Sequence, residues 1–293
     1  MAYFTVPISE ASPTRMTFST WFRIPQEAYD AYITASLIPS ATGTYNIMQF
    51  AAPTLLTATE HHFRMRYQQS PSAPSSFSWR LQYYATPEVG QYGARQTTGD
   101  LPPATVESDK WYHLLMSVLI EGDQFAQRCY FYLNGECINE PSSAYALTPP
   151  QGVWDNWDSP GGTGVSWDLP AGPGQDLITF VDAVNGKDFY LPSITSTSVP
   201  RNSEVAMGPT YLWLGTYVDP TVSGNLEKFF TPDSATGLAV PTPSSVAIDA
   251  FGDPTLLFLG SAATFIDNQG TGAEPTETGE IQNFSPSPSF EFD

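Results

Sequence analysis

Two cysteines, three histidines and 11 basic residues, three of them lysine, are all that this 293-residue chain carries of those kinds. Two thiols in that length exclude a disulfide-stapled scaffold, and no Cys/His group has zinc spacing. The few Lys and Arg face 30 acids, leaving a net charge of −19. That argues against a nucleic-acid partner, because phosphate neutralisation needs clustered cations, and against an anionic membrane surface. No run approaches the roughly 20 apolar residues of a membrane span, so no membrane insertion is expected. MAYFTVPISEASP lacks a basic stretch ahead of an apolar core and does not read as a signal peptide. The expectation is a protein made in a cytoplasm that stays soluble or leaves by a signal-independent route.

Long helices are poorly served by 27 prolines and 22 glycines, which suit many short strands joined by turns. Strand candidates crowd the first half: 16–24, 45–50, 62–68, 78–85, 111–120 and 127–133. In FRMRYQ the residues Phe63, Met65 and Tyr67 alternate with Arg64 and Arg66, and in SWRLQYY Trp79, Leu81 and Tyr83 alternate with Arg80 and Gln82, the pattern of half-buried antiparallel sheet. Asn134-Gly135 between two apolar runs predicts a type I′ hairpin pairing 128–133 with 136–139. Leu133 then faces Glu136 and Tyr132 faces Cys137, which puts Cys129 and Cys137 on opposite faces and disfavours a disulfide between them.

Residues 139–209 differ, being rich in Pro, Gly, Asp and Trp, with a second Asn-Gly at 185–186 supporting another hairpin. They read as an insertion at one end of a single domain spanning 1–293. Strand character returns at 210–218, and the last third holds LEKFF (226–230), a Pro/Ser-rich connector at 241–245 and GDPTLLFLGSAATFID at 252–267. Trp21, Trp79, Trp111 and Trp213 lie on predicted strands and are expected in the core, with His113 as a core or rim histidine on the face of Trp111 and Leu115.

The series MTFSTWFRI, KWYHLLMSVL, CYFYLNGE and YLWLGTY resembles the laminin G-like/concanavalin A-like jelly roll, whose marks are a "sxWf" strand, a "WyHva" strand, a "lYvNG" hairpin and a "lyiG" strand. The likeness spans roughly residues 14–220 with the insertion removed. It implies an all-β antiparallel jelly-roll sandwich. LEKFFTPDSATG followed by GDPTLLFLGSAATFIDNQGTGAEPTETGEI is similar to the C-terminal pattern of sandwich proteins of tailed bacteriophages, "GxPxlfL" followed by "fxxNxGtGgxfxxtGxl". That resemblance implies a virion structural protein of tail, fibre or decoration type. Its partners would be other virion proteins, with assembly in many copies and a cell-surface glycan as a further contact.

Glycoside hydrolases of the concanavalin A-like fold carry two carboxylates about 5–10 Å apart across a cleft, supplied by a Glu-x-Asp-x-Glu strand that is missing here. The nearest approaches are ESD at 107–109 and EFD at 291–293. Gly-x-Ser-x-Gly and phosphate-loop motifs are missing too, and His61 and His62 as strand neighbours point to opposite faces. The expectation is a protein that is not an enzyme, with a free carbohydrate-binding module or adhesin as the alternative and a glycoside hydrolase behind it.

VWDNWDSPGGTGVSWDL (153–169) holds three of the seven tryptophans, each beside an aspartate: Trp154–Asp155, Trp157–Asp158 and Trp167–Asp168. Such rings stack on sugar faces while carboxylates accept hydroxyl hydrogen bonds or hold Ca²⁺; equally, they can pack the loop onto its own domain or a neighbour. Asp155 and Asp158 could share one calcium, although no dedicated metal spacing is present, and no other cofactor is expected. The tail 285–293, SPSPSFEFD, alternates Phe290 and Phe292 with acids after two prolines. It reads as an extended strand docking on a sheet edge of its own or a neighbouring subunit. MAYFTVPI at the other end has the same character.

Overall fold

The computed structural model describes residues 3–8, 15–26, 44–51, 62–70, 73–85, 93–97, 107, 109–119, 128–137, 157–158, 188–191, 205–259, 267–278, 288 and 290–291. Between 44 and 97, and at 157–158 and 188–191, the description is of backbone alone. Among these residues the chain is mostly β, and every strand pairing is antiparallel.

In chain order the strands are β1 (Tyr3–Pro7), β2 (Arg15–Arg23), β3 (Thr44–Ala51), β4 (His62–Ser70), β5 (Ala73–Ala85), β6 (Gly93–Thr97), β7 (Trp111–Leu119), β8 (Arg128–Leu133), β9 (Glu136–Cys137), β10 (Trp157–Asp158), β11 (Asp188–Leu191), β12 (Ala206–Leu214), β13 (Phe230–Pro232), β14 (Leu238–Pro241), β15 (Leu256–Phe258), β16 (Thr276–Thr278) and β17 (Phe290–Glu291). They form an eight-stranded sheet in the order β10-β6-β5-β4-β3-β11-β1-β16, a six-stranded sheet in the order β15-β12-β2-β7-β8-β9, and a three-stranded sheet in the order β13-β14-β17. Helix α1 (Ser244–Phe251) follows the small sheet.

The eight-stranded sheet is built on like-with-like rungs. β4 sets Phe63 opposite Phe50 and Tyr83, Met65 opposite Met48 and Leu81, and Tyr67 opposite Tyr45 and Trp79. Two pieces of the region read as an insertion belong to this sheet: β10 caps its β6 edge, and β11 lies between β3 and β1. The strand that follows Asn185-Gly186 therefore pairs with β1 and β3, the hairpin partner expected for it lying outside the described residues.

Both faces of the six-stranded sheet are buried. Alternation puts Met16, Phe18 and Phe22 of β2, Leu114, Met116 and Val118 of β7, Leu212 of β12, and Leu256 and Phe258 of β15 on one face, all without solvent exposure. The other face carries Trp21, Trp111, Leu115, Tyr132, Tyr211 and Trp213, and is covered by Phe229, Phe230, Ala239 and Ala247 from the segment that runs through β13, β14 and α1. Phe229 anchors this layer. It stacks on Phe251 with centroids 5.8 Å apart and meets Trp213 and Tyr211 edge-on, each at 6.0 Å, the geometries that aromatic quadrupoles favour.

Thr17, Ser19, His113 and Ser117 are polar yet buried on this second face, and burial of that kind requires partners. Thr17 and Ser117 hydroxyls lie 3.0 Å apart. The Val218 amide donates to Thr17 Oγ1 at 2.9 Å, and Ser117 Oγ donates to the Val218 carbonyl at 2.6 Å. These bonds pin the start of the covering layer to the centre of the sheet.

The predicted hairpin forms in the expected register: Tyr132 faces Cys137 and Leu133 faces Glu136, across a turn whose Asn134 and Gly135 both take positive φ, 52° and 86°. Cys137 is a thiol outside any disulfide and packs with Tyr130 at the margin of the aromatic cluster.

Candidate functional site

Of the loop residues singled out for ligand contact, Trp157 and Asp158 are described: they constitute β10, paired with Thr97 and Gln96 at the outer edge of the eight-stranded sheet. Trp154, Asp155, Trp167 and Asp168 lie outside the described residues, and with Asp155 so does the calcium pair. Among the described residues, no three His, Cys, Asp or Glu side chains gather closely enough to hold a metal.

Both termini are strands. β1 runs between β11 and β16. At the other end Phe290 and Glu291 pair with Ala239 and Leu238 of β14, in the same chain. Phe292 lies outside the described residues.

The C-terminal pattern closes into a single knot on β15. Asn268 is buried, and its Oδ1 accepts from the amides of Leu257 and Gly270, both at 2.9 Å. Its Nδ2 points at the carbonyls of Thr255, Gly272 and Ala273 at 3.1–3.3 Å, and its own amide donates to Glu274 Oε2 at 3.0 Å. Around it, Gln269, Thr271 and Gly272 donate backbone bonds to Leu257, Pro254 and Thr255. Two glycines permit this approach: a Cβ on Gly270 would lie 2.5 Å from the Pro254 carbonyl oxygen, and one on Gly272 would lie 2.7 Å from that of Thr255. The spacing Gly252-x-Pro254 and Asn268-x-Gly270-x-Gly272 is therefore one structural unit. Gly252, at φ 85°, ends α1 and offers its carbonyl to Trp213 Nε1 at 2.9 Å, tying the knot to the aromatic layer.

His113 and Ser19 form a buried pair that the sequence does not announce, although His113 is expected as a core or rim histidine. Ser19 Oγ lies 2.9 Å from His113 Nε2, while Nδ1 has no hydrogen-bond partner. The ring is enclosed by Trp21, Phe229 and Phe230 at centroid distances of 5.5, 5.7 and 5.2 Å. With no solvent exposure, the charged imidazolium is disfavoured, and desolvation pulls the pKa down from 6.5 to about 3. A serine–histidine contact of this kind resembles half of a nucleophilic dyad, but it is sealed within the aromatic cluster and holds the ring in place rather than meeting a substrate.

The acidic stretch at 107–109 is a brace. Asp109, at φ 60°, which Asp tolerates better than most residues, accepts from Arg23 Nη2 at 2.5 Å and from the Gln26 amide at 3.1 Å. The Arg23 hydrogen bond holds its carboxyl below the usual carboxylate range. Asp109 is half-exposed, so Asp109→Asn, which retains an acceptor for Gln26, should cost about 1 kcal/mol or less in urea unfolding. A loss above about 2 kcal/mol would show that the brace does more than fix the turn.

No family model and no curated protein sequence matches the chain. Among solved structures, it is similar to the alginate lyase Aly36B at 11% identity over 71% of this chain and 70% of that one, with a TM-score of 0.34. It is likewise similar to a mutant of that lyase in complex with alginate trisaccharide, at 11% identity over 72% and 71%, with a TM-score of 0.31. The expectation that the chain is not an enzyme is corrected on this finding, since the chains it matches are those of an enzyme. The expectation rested on missing local motifs, and a site assembled from separate strands leaves no such motif to read. At these TM-scores the likeness assigns no reaction to this chain.

Proposed function

We propose that the chain is a structural protein of a tailed-phage particle, a tail, fibre or decoration component, folded as a concanavalin A-like/laminin G-like jelly roll. The observation that carries this reading is the C-terminal knot. The residues that make the chain similar to phage sandwich proteins, Gly252, Pro254, Asn268, Gly270 and Gly272, are those that meet in space to fasten the end of the fold onto β15. So definite a packing role supports reading the pattern as an architectural one.

The fully buried Met16–Phe18–Phe22 face supports the jelly-roll part of the proposal. Some layer must cover it, and the eight-stranded sheet has the breadth to do so, giving two sheets packed about 10 Å apart. Contact with a host-surface glycan belongs to the same proposal, with Trp157 and Asp158 on the outermost strand of that sheet as its site. Mass spectrometry of purified particles tests the reading: the chain is expected there in many copies. Its absence from particles, with the protein present in the lysate, would sink the proposal.

A further inference from the structure

The register of β12 against β2 shifts between Met207 and Thr210, at Gly208-Pro209. Pro209 has no amide hydrogen to give a neighbouring strand, and Gly208 leaves a notch. A Cβ at 208 would lie 2.8 Å from Trp21 Cβ, 2.9 Å from Pro288 Cγ and 3.6 Å from Trp111 Cζ3. Pro288 of the tail therefore fills the space that any other residue at 208 would claim. Just beyond it, β17 pairs with the edge of β14 and runs beside β7.

This receptor is complete without the tail. Trp21, Trp111 and Gly208 come from the six-stranded sheet and the pairing edge from β14. The tail reaches it through residues 279–287, nine residues whose extended reach is about 30 Å. Its register covers two residue pairs, and backbone hydrogen bonds contribute only about 1 kcal/mol each, so the pairing itself holds the tail weakly. The same contacts form equally well when the strand is supplied by a second copy, the low-cost route to association by exchange of an identical element.

We propose that the groove between Gly208 and β14 is an assembly site that takes the 288–291 segment of a second copy of this chain by strand addition, Pro288 setting the register and Phe290–Glu291 completing the small sheet. The chain's own tail is tethered beside the groove at a high effective concentration, so exchange takes over only where copies are crowded to comparable concentrations. The inference is independent of which particle, if any, the chain belongs to.

In a Cys129→Ser/Cys137→Ser background, which removes the native thiols, full-length Leu238→Cys and Glu291→Cys variants, mixed at high concentration and oxidised, should give a disulfide-linked dimer that neither variant gives alone. A labelled peptide of residues 285–293 should suppress that dimer and bind the full-length chain saturably, while its Pro288→Asp form should bind at least tenfold more weakly. If the double variant closes within one chain while the mixture stays monomeric, the tail serves its own chain alone and the proposal is overturned. If no disulfide forms in either, the peptide decides, and absence of saturable binding overturns the proposal as well.

Discussion

Asn268→Ala is expected to lower stability by about 3 kcal/mol or more, several times the mean effect of a point substitution. The amides of Leu257 and Gly270 both rely on Oδ1, and three carbonyls share Nδ2. Removing the amide group leaves buried backbone groups without partners, and each one costs about 1–3 kcal/mol. Gly270→Val attacks the same knot from its backbone side. The carbonyls it would strike, at 2.5 and 2.7 Å, belong to the main chain of Pro254 and Thr255, so no flexible side chain can yield. Urea unfolding of both variants checks this. Losses under about 1 kcal/mol would mean that the knot is incidental to the fold, and would weaken the functional reading that rests on it.

Acid should destabilise the protein in a way traceable to one residue. His113 is neutral in the folded state down to about pH 3, whereas an unfolded chain protonates it near 6.5. The unfolded state thus binds the additional proton between those values. Stability from this group is fully present above about pH 6.5, declines as pH falls, and is lost by about 3. The slope is at most about 1 kcal/mol per pH unit, so between pH 7 and 4.5 the loss from His113 is on the order of 2–3 kcal/mol. The double variant Ser19→Ala/His113→Leu, which leaves neither partner of the 2.9 Å bond unpaired, should show a correspondingly shallower decline in unfolding free energy. Parallel pH profiles for the two proteins would refute the assignment, whatever the absolute stability of the variant.

Much of the fold was legible because its strands carry strong local signals. Asn134-Gly135 dictated the hairpin register to the residue, and the Phe63–Met65–Tyr67 alternation marked β4. Other features needed tertiary context. Thr17 and Ser117 look solvent-facing until Thr216 and Val218 arrive from about 100 residues or more away to bond them, and His113 gains its cover from Phe229 and Phe230. LEKFF carries no clear local signal: Leu226–Lys228 is a 3-10 turn and only Phe230 enters β13, because Phe229 must turn into the cluster. The first residues of helix α1 fall within the Pro/Ser-rich connector; Pro243 before it and Gly252 after it are its start and stop signals. Asn185-Gly186 predicts a local hairpin for β11, and nothing in DFYL announces that its partners are β1 and β3. The Trp-Asp loop was chosen on composition. Trp157 and Asp158 have a place in a sheet, while the groove at Gly208, the feature with a defined occupant, gave no signal beyond a Gly-Pro pair in a strand.

The position of β2 has a consequence for synthesis. Its two neighbours are β7 and β12, and the Thr20–Thr210 hydroxyl contact on the second side joins residues 190 positions apart. At about 5–20 residues per second on the ribosome, β2 waits roughly 10–40 s between its own emergence and that of the strand which closes its free edge. During that interval a row carrying Met16, Phe18, Trp21 and Phe22 has one side open to other nascent chains. Contacts of such long sequence separation also make folding slow once the chain is complete. Yield should therefore respond to translation rate and to nascent-chain crowding more than to equilibrium stability, and a chain interrupted before residue 206 leaves β2 permanently half-paired.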